Sequence, residues 1–331
     1  MRRAAAGVLV ALACAGCGSL TVHELPPAAE PPRSPAPSAE PAGTVIPVGG
    51  APEGVVVDPR THVASVAVRD PDALAIVDLR TRRVLRRVAL PGAPRHLAQD
   101  DGGATVLVPA ETADRFLAVE VPSGRVTERA ATGAYPHDLA PLAGGGVAIG
   151  DERGDALTVL RPGAPSRMVR VAAQPGGVTT VDGGRLIAVV SVRERVLELY
   201  DAKTLRRVAR ESAGVGPTHV ACQTDGGWCW VLDTQGDALL VFRVDGDRLE
   251  LTRRLFLPGG PYGVAVDPGR LRLWVTLPGR NEVVELPAHG RPHVVARHPT
   301  VRQPDSVAVD ASTGQAVVTG RTDGVLQLVT P

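Results

Sequence analysis

Three histidines recur just after a proline, in Pro94-Arg95-His96, Pro136-His137-Asp138 and Pro217-Thr218-His219. Imidazole titrates near neutral pH, and imidazoles converging from separate parts of a chain can hold a divalent metal or pass a proton. Other copies of the phrase supply Glu53 after Pro52, Tyr262 after Pro261 and Asp305 after Pro304. Together Glu53, Arg95, His96, His137, Asp138, His219, Tyr262 and Asp305 form a candidate ligand-binding face. Spacing argues against a histidine cluster. His96 and His219 stand two residues after their prolines and His137 stands one after, and neighbouring side chains on a strand point to opposite faces. We therefore read each histidine as capping a turn or bonding nearby backbone, and assign none as catalytic or metal-binding. No cofactor is expected beyond a divalent metal that this set could hold. Gly54, Gly177, Gly263 and Ser306 occupy the position of His96 in other copies, so a complete ring of histidines is excluded. His289, His293 and His298 are separated by Gly290 and Pro292, which rule out a helical ligand pair, and belong near an outer strand.

The phrase that carries these residues begins at Pro52, Pro94, Pro136, Pro175, Pro217, Pro261 and Pro304, at intervals of 42, 42, 39, 42, 44 and 43 residues. Such a period in a chain rich in short β-branched runs is that of propeller blades. Four strand-like pieces recur in each period, as in Gly263–Asp267, Arg272–Thr276, Glu282–Leu286 and His293–Arg297. The first two are apolar, as covered strands should be. Fourth pieces such as Leu85-Arg86-Arg87-Val88 and Leu205-Arg206-Arg207-Val208 carry the arginines suited to an exposed edge. A second phrase, rich in Asp and Gly, joins the second and third pieces: Asp70–Leu74, Asp151–Leu157, Asp233–Leu239 and Pro278–Val283. Both phrases fall at one end of the strands, so a single face gathers the residues above, with Asp70, Asp151, Glu152, Arg153, Asp233, Arg280 and Arg321 further out.

Strand, Gly/Asp turn and an alternating run ending at Asp, as in Asp72-Ala73-Leu74-Ala75-Ile76-Val77-Asp78, resembles the bacterial YVTN-type β-propeller repeat family. Trp274-Val275-Thr276-Leu277 and Val317-Val318-Thr319-Gly320 stand nearest to its name-giving tetrapeptide. The resemblance spans residues 44–331 and implies an all-β fold, a seven-bladed β-propeller of four-stranded antiparallel blades. Seven-bladed propellers of this kind include lactonase and lyase enzymes as well as binding modules, so fold alone does not name a function. Only 27 residues follow Pro304, enough for three strands. Thr44–Val48 should supply the fourth and close the ring by completing the last blade.

Arg2-Arg3 followed by the apolar run Ala4–Ala13 has the form of an export signal, too short to span a bilayer. Cys14-Ala15-Gly16-Cys17 resembles a bacterial lipobox, which implies a signal peptide over 1–17 and lipidation at Cys17, with Cys14 the lesser alternative. Residues 18–43 contain Pro26–Pro41, which offers little to bury and many fixed φ angles; it should be an extended tether. Cys222 and Cys229 flank Asp225-Gly226, a two-residue hairpin signal that sets the two cysteines opposite each other, and we expect a disulfide there rather than free thiols or a redox pair.

Charge is balanced, with 36 Lys and Arg against 35 Asp and Glu, and aromatics make up 3% of the chain. Neither a nucleic-acid footprint nor a stacking platform fits that composition. Nucleophile-elbow, phosphate-loop and zinc-type cysteine patterns are missing from the sequence. The expected protein is a monomer held by a lipid at the extracytoplasmic face of the cell membrane, a binding or scaffold module for an envelope protein or small ligand. The alternative is a lactonase- or lyase-like enzyme with its site at the channel mouth.

Overall fold

The computed structural model describes residues 25–331 apart from Asp101 and Thr224. Cys14, Cys17 and the export signal lie outside the described residues. The repeat folds into seven four-stranded antiparallel sheets. Blade one runs from Gly50–Asp58 through Val63–Asp70 and Asp72–Asp78 to Arg83–Ala89, and its strands pair in chain order. Blades two to six repeat that order. Blade seven is built from Pro304–Asp310, Gln315–Gly320 and Val325–Val329, and its outer strand is Thr44–Pro47. Thr44 pairs with Leu328 and Pro47 with Val325, so the two ends of the chain close the ring as the repeat count requires. Ile46 and Val48 are buried against Leu326 and Leu328 by this closure.

The period-two pattern explains the core. Second and third strands such as Val63–Asp70, Leu186–Ser191 and Asp72–Asp78 are almost wholly buried, because each blade is covered by a neighbour on both faces. Fourth strands such as Arg83–Ala89 and Arg125–Ala131 are exposed along most of their length. Their arginines charge an outer edge that would otherwise pair with other chains.

Two fourth strands start later than the sequence indicated. Leu205 sits in a left-handed turn with φ of 61°, so the strand begins at Arg207. In blade six an excursion through Gly290 and Pro292 delays pairing until Ala296–Pro299, leaving His289 and His293 exposed and His298 beside Trp274.

Cys222 and Cys229 are cross-strand partners joined by a disulfide, with Cα atoms 4.0 Å apart. The loop it closes is short and already held by the hairpin, so reduction should lower unfolding free energy by about 2 kcal/mol or less. Urea unfolding with and without reductant checks this; a loss of folding on reduction would contradict it.

Candidate functional site

One local irregularity builds the site. In five blades the register slips just after the phrase proline, at Pro52/Val55, Pro136/Asp138, Pro175/Gly177, Pro217/Val220 and Pro304/Val307. A bulge consumes an extra residue and breaks the alternation of side chains. In blade two pairing lapses altogether between the Pro94–Ala110 bridge and Ala98. Residues one and two places after the proline can therefore turn to the same side. That is why His137 meets His96 and His219 despite its different spacing. Ring centroids of His96 and His137 are 5.0 Å apart and those of His96 and His219 are 4.5 Å apart.

The position two after the proline faces the next blade. A Cβ on Gly54 would lie 2.1 Å from the Arg95 carbonyl oxygen, and one on Gly263 would lie 2.5 Å from that of Asp305. Glycine is required there because the neighbouring backbone already fills the space. In blades three and five the position carries a side chain that bonds across the gap. Asp138 Oδ2 accepts from the Val178 amide at 2.8 Å, and His219 Nδ1 donates to the Tyr262 carbonyl at 2.8 Å. Asp138 thus stitches blades three and four in the channel wall instead of opening onto the mouth.

A second ring of positions, at or just past the end of each second strand, supplies Arg69, Glu111, Glu152 and Arg321. Arg69 donates to Glu53 at 2.8 Å and to Glu111 at 2.7 Å. Arg95 donates to Glu53 at 2.8 Å and to the Tyr262 hydroxyl at 2.9 Å. Arg321 forms an ion pair with Glu53 at 2.9 Å without hydrogen-bond alignment, which leaves Glu53 Oε1 unbonded. Glu53 is fully buried and faces three guanidinium groups. His137 Nδ1 lies 2.8 Å from Glu111 and 3.3 Å from Glu152. Both oxygens of Asp305 are buried and have no hydrogen-bond partner.

These contacts separate the histidines electrically. Burial opposes charge on His137, but its bonds with Glu111 and Glu152 prevail and lift it to about 9. His219 has no carboxylate partner, and burial, with His137 and Arg95 nearby, pushes it down to about 3. His96 is held well below its ordinary value by burial first and His219 second. At neutral pH the mouth therefore holds one imidazolium and two neutral imidazoles, the latter sharing a proton between Nε2 atoms 2.9 Å apart.

Burial raises Asp305 to about 7. A carboxyl raised in the folded state contributes stability at low pH and loses it as pH climbs from its unfolded value, near 4, through 7. Asp305→Asn should thus stabilise the protein at pH 8 relative to pH 4, by up to about 4 kcal/mol. Melting curves across that range test the sign; an equal effect at both ends would contradict it.

Above this layer opens a cavity of about 510 Å³, with Tyr135, Arg153, Gln174, Arg193 and Arg321 on its walls. The Arg153 guanidinium stacks over Tyr135 at 3.8 Å. Below it, the central channel encloses about 400 Å³ and is lined by Val, Ala and Leu of the innermost strands together with Gln99, Asp138, Thr179, Thr180 and Ser306. Of the outer residues read from sequence, Glu152, Arg153 and Arg321 line the mouth. Asp151 and Asp233 are instead fully buried turn-holders, Asp233 accepting from the amides of Val215, Gly216 and Gly236.

The proline-rich stretch is extended but lies across the mouth. Arg193 donates to the carbonyls of Leu25 and Pro26 in blade four, and Gln303 and Asn281 donate to those of Pro32 and Pro35 in blades seven and six. Proline brings no N–H, so the strap's prolines dock through their carbonyls, and Ser34 supplies donors from its amide and hydroxyl. Ala29 and Ser34 are buried, and Ala28–Glu30 roof a small cavity of about 30 Å³ over His137 and His219. Gln303 both accepts from the Ser34 amide and donates to the Pro32 carbonyl. Gln303→Ala should speed tryptic cleavage after Arg33 about thirtyfold, because two bonds of about 1 kcal/mol each hold the strap down. An unchanged cleavage rate would show that the strap is held elsewhere.

Among the described residues no helix is long and apolar enough to cross a membrane. No family model matches the chain, and no curated protein matches it. Solved structures with the same fold include the hydrazine synthase of Kuenenia stuttgartiensis, at 16% identity and a TM-score of 0.74, over 86% of this chain and 96% of that one. A streptogramin B lyase aligns at 12% identity and a TM-score of 0.72, over 87% and 97%. A chain of the mitotic checkpoint complex aligns at 11% identity and a TM-score of 0.76, over 94% and 99%. At such identities the likeness establishes the seven-bladed propeller and nothing finer.

Proposed function

We propose that this is an exported, lipid-anchored β-propeller that binds a small polar ligand, anionic at one end, in the channel mouth. The observation that carries the reading is the mouth itself: Arg95, Arg153, Arg193 and Arg321 line one cavity with His137, and share it with Glu30, Glu111, Glu152 and Asp155. Among the described residues neither Arg153, stacked on Tyr135, nor Arg193, bonded to the strap carbonyls, forms an ion pair, so both charges on the cavity wall are left without a counter-ion. Guanidinium groups so placed suit a carboxylate or phosphate. The lipid at Cys17 would keep the propeller at the membrane, with the strap arriving from the same side as the ligand.

The test is a thermal-shift screen of small anionic compounds on the full chain, with Arg153→Ala, Arg321→Ala and the outer-edge control Arg86→Ala. A stabilising compound whose effect is lost in the mouth variants and kept in the control supports the reading. Hits that are indifferent to the mouth variants would overturn it. Lipid labelling of the wild type and of Cys17→Ser tests the anchor separately.

A second reading, an enzyme of the lyase or lactonase kind, draws on the neutral His96 and His219 beside Arg95 and on the streptogramin B lyase fold. Neutral imidazoles in a buried mouth could take a proton from a bound substrate. Turnover of a hit compound, abolished in His96→Ala, would establish it.

A further inference from the structure

We propose that His96, His137 and His219 bind a single divalent late transition-metal ion, of the zinc type, at the floor of the channel mouth. One nitrogen from each ring lies within 4.8 Å of the others. The Nε2 atoms of His96 and His219 are 2.9 Å apart. Tetrahedral coordination at about 2.1 Å sets ligand nitrogens about 3.4 Å apart, so small rotations of three side chains form the site.

The surroundings are those of a ligand set. Metal-bound histidines are oriented by what their other nitrogen donates to. His219 Nδ1 donates to the Tyr262 carbonyl, which aims Nε2 into the cluster. His137 Nδ1 is held by Glu111 at 2.8 Å with Glu152 at 3.3 Å, a carboxylate–histidine pair that leaves Nε2 for the ion, which on binding displaces the Nε2 proton to solvent. His96 needs only to carry its proton on Nδ1 to present the third Nε2. The three rings come from blades two, three and five, and the framework beneath them is rigid sheet. Glu111 and Glu152 place negative charge beside the site, which offsets the repulsion from Arg95. Imidazole ligands select borderline ions such as zinc over magnesium or calcium, which prefer all-oxygen sites.

The fourth position faces the 30 Å³ cavity that Glu30 and Thr218 share with His137 and His219. Three protein ligands and one open position is the arrangement of sites where the ion meets an exogenous group. The ion would be the anchor for the ligand's anionic end; this role for the open position, and nothing else in the inference, rests on the mouth-binding reading above.

The full chain, stripped with chelator and dialysed, is titrated with zinc(II) by calorimetry, and cobalt(II) is added separately for its visible spectrum. One equivalent should bind, with the intense bands of four-coordinate cobalt. His96→Ala, His137→Ala and His219→Ala should each weaken binding at least tenfold, while His62→Ala and His289→Ala, away from the mouth, leave it unchanged. If His219→Ala fails to fold, His96→Ala and His137→Ala still decide the matter. No stoichiometric binding by the wild type, or undiminished binding by the double variant His96→Ala/His137→Ala, would overturn the inference. A mouth-dependent ligand shift that persists with chelator present would leave the binding function standing and remove the metal from it. Metal binding without any ligand shift would do the reverse.

Discussion

Deleting Thr44–Val48 lowers the melting temperature of the whole propeller by on the order of 10 °C. The strand buries Ile46 and Val48 against the last blade and pairs four residues with Val325–Leu328. Exposing two such side chains costs about 3–5 kcal/mol, before any lost hydrogen bond is counted. For a domain of this size each kcal/mol moves the midpoint by about 2–4 °C. The outer edge of Val325–Val329 would also be left bare, inviting association between copies. Calorimetry of the deletion variant, with light scattering, measures both effects; a melting curve like that of the intact chain would mean that the ring does not depend on its closing strand.

The second large effect belongs to Glu53. Its carboxylate is fully buried and faces Arg69, Arg95 and Arg321, whose side chains are 19%, 12% and 39% exposed. Glu53→Ala leaves the two buried guanidiniums short of an anion, with only Glu111 remaining for Arg69. Removing one partner from a buried ionic group costs about 3–5 kcal/mol, mostly through the uncompensated charge. Glu53→Gln should cost less, because the amide oxygen can still accept from Arg95. The double variant Glu53→Ala/Arg95→Met should recover part of the loss, since one stranded charge goes with its partner. Urea unfolding of the three variants tests the order; if Glu53→Ala unfolded at the wild-type midpoint, the ionic layer would hold no stability.

The fold was legible because a propeller repeats its instructions. Seven proline phrases, each opening an apolar run, reported blade number, and the short count after Pro304 reported closure. The pairing of Cys222 with Cys229 followed from an Asp-Gly turn between them. The floor of the mouth was only half legible. His96, His137 and His219 were visible as candidates but were judged by strict alternation, and the bulges after the prolines break that rule without any residue that announces them. Arg69 and Glu111 escaped notice because blade one ends its second strand in Arg-Asp and blade two in Pro-Ala-Glu, which share no motif. Their equivalence lies in register, set by which residue pairs with the proline. The strap was legible as an extended chain, but composition says nothing about where such a chain lies; its contacts come from Arg193, Asn281 and Gln303, dispersed over three blades.

Ring closure also dictates an order in time. Thr44–Pro47 is made long before its partner Val325–Val329, with Thr44 and Leu328 284 positions apart. Until synthesis and passage across any membrane are complete, the first strand has nothing to pair with and blade seven lacks its outer edge. Without Val325–Val329 the blades would form an open arc with an unpaired strand edge at each end. Closure of the ring therefore waits on Val325–Val329, a non-local pairing that forms only once the intervening blades are in place.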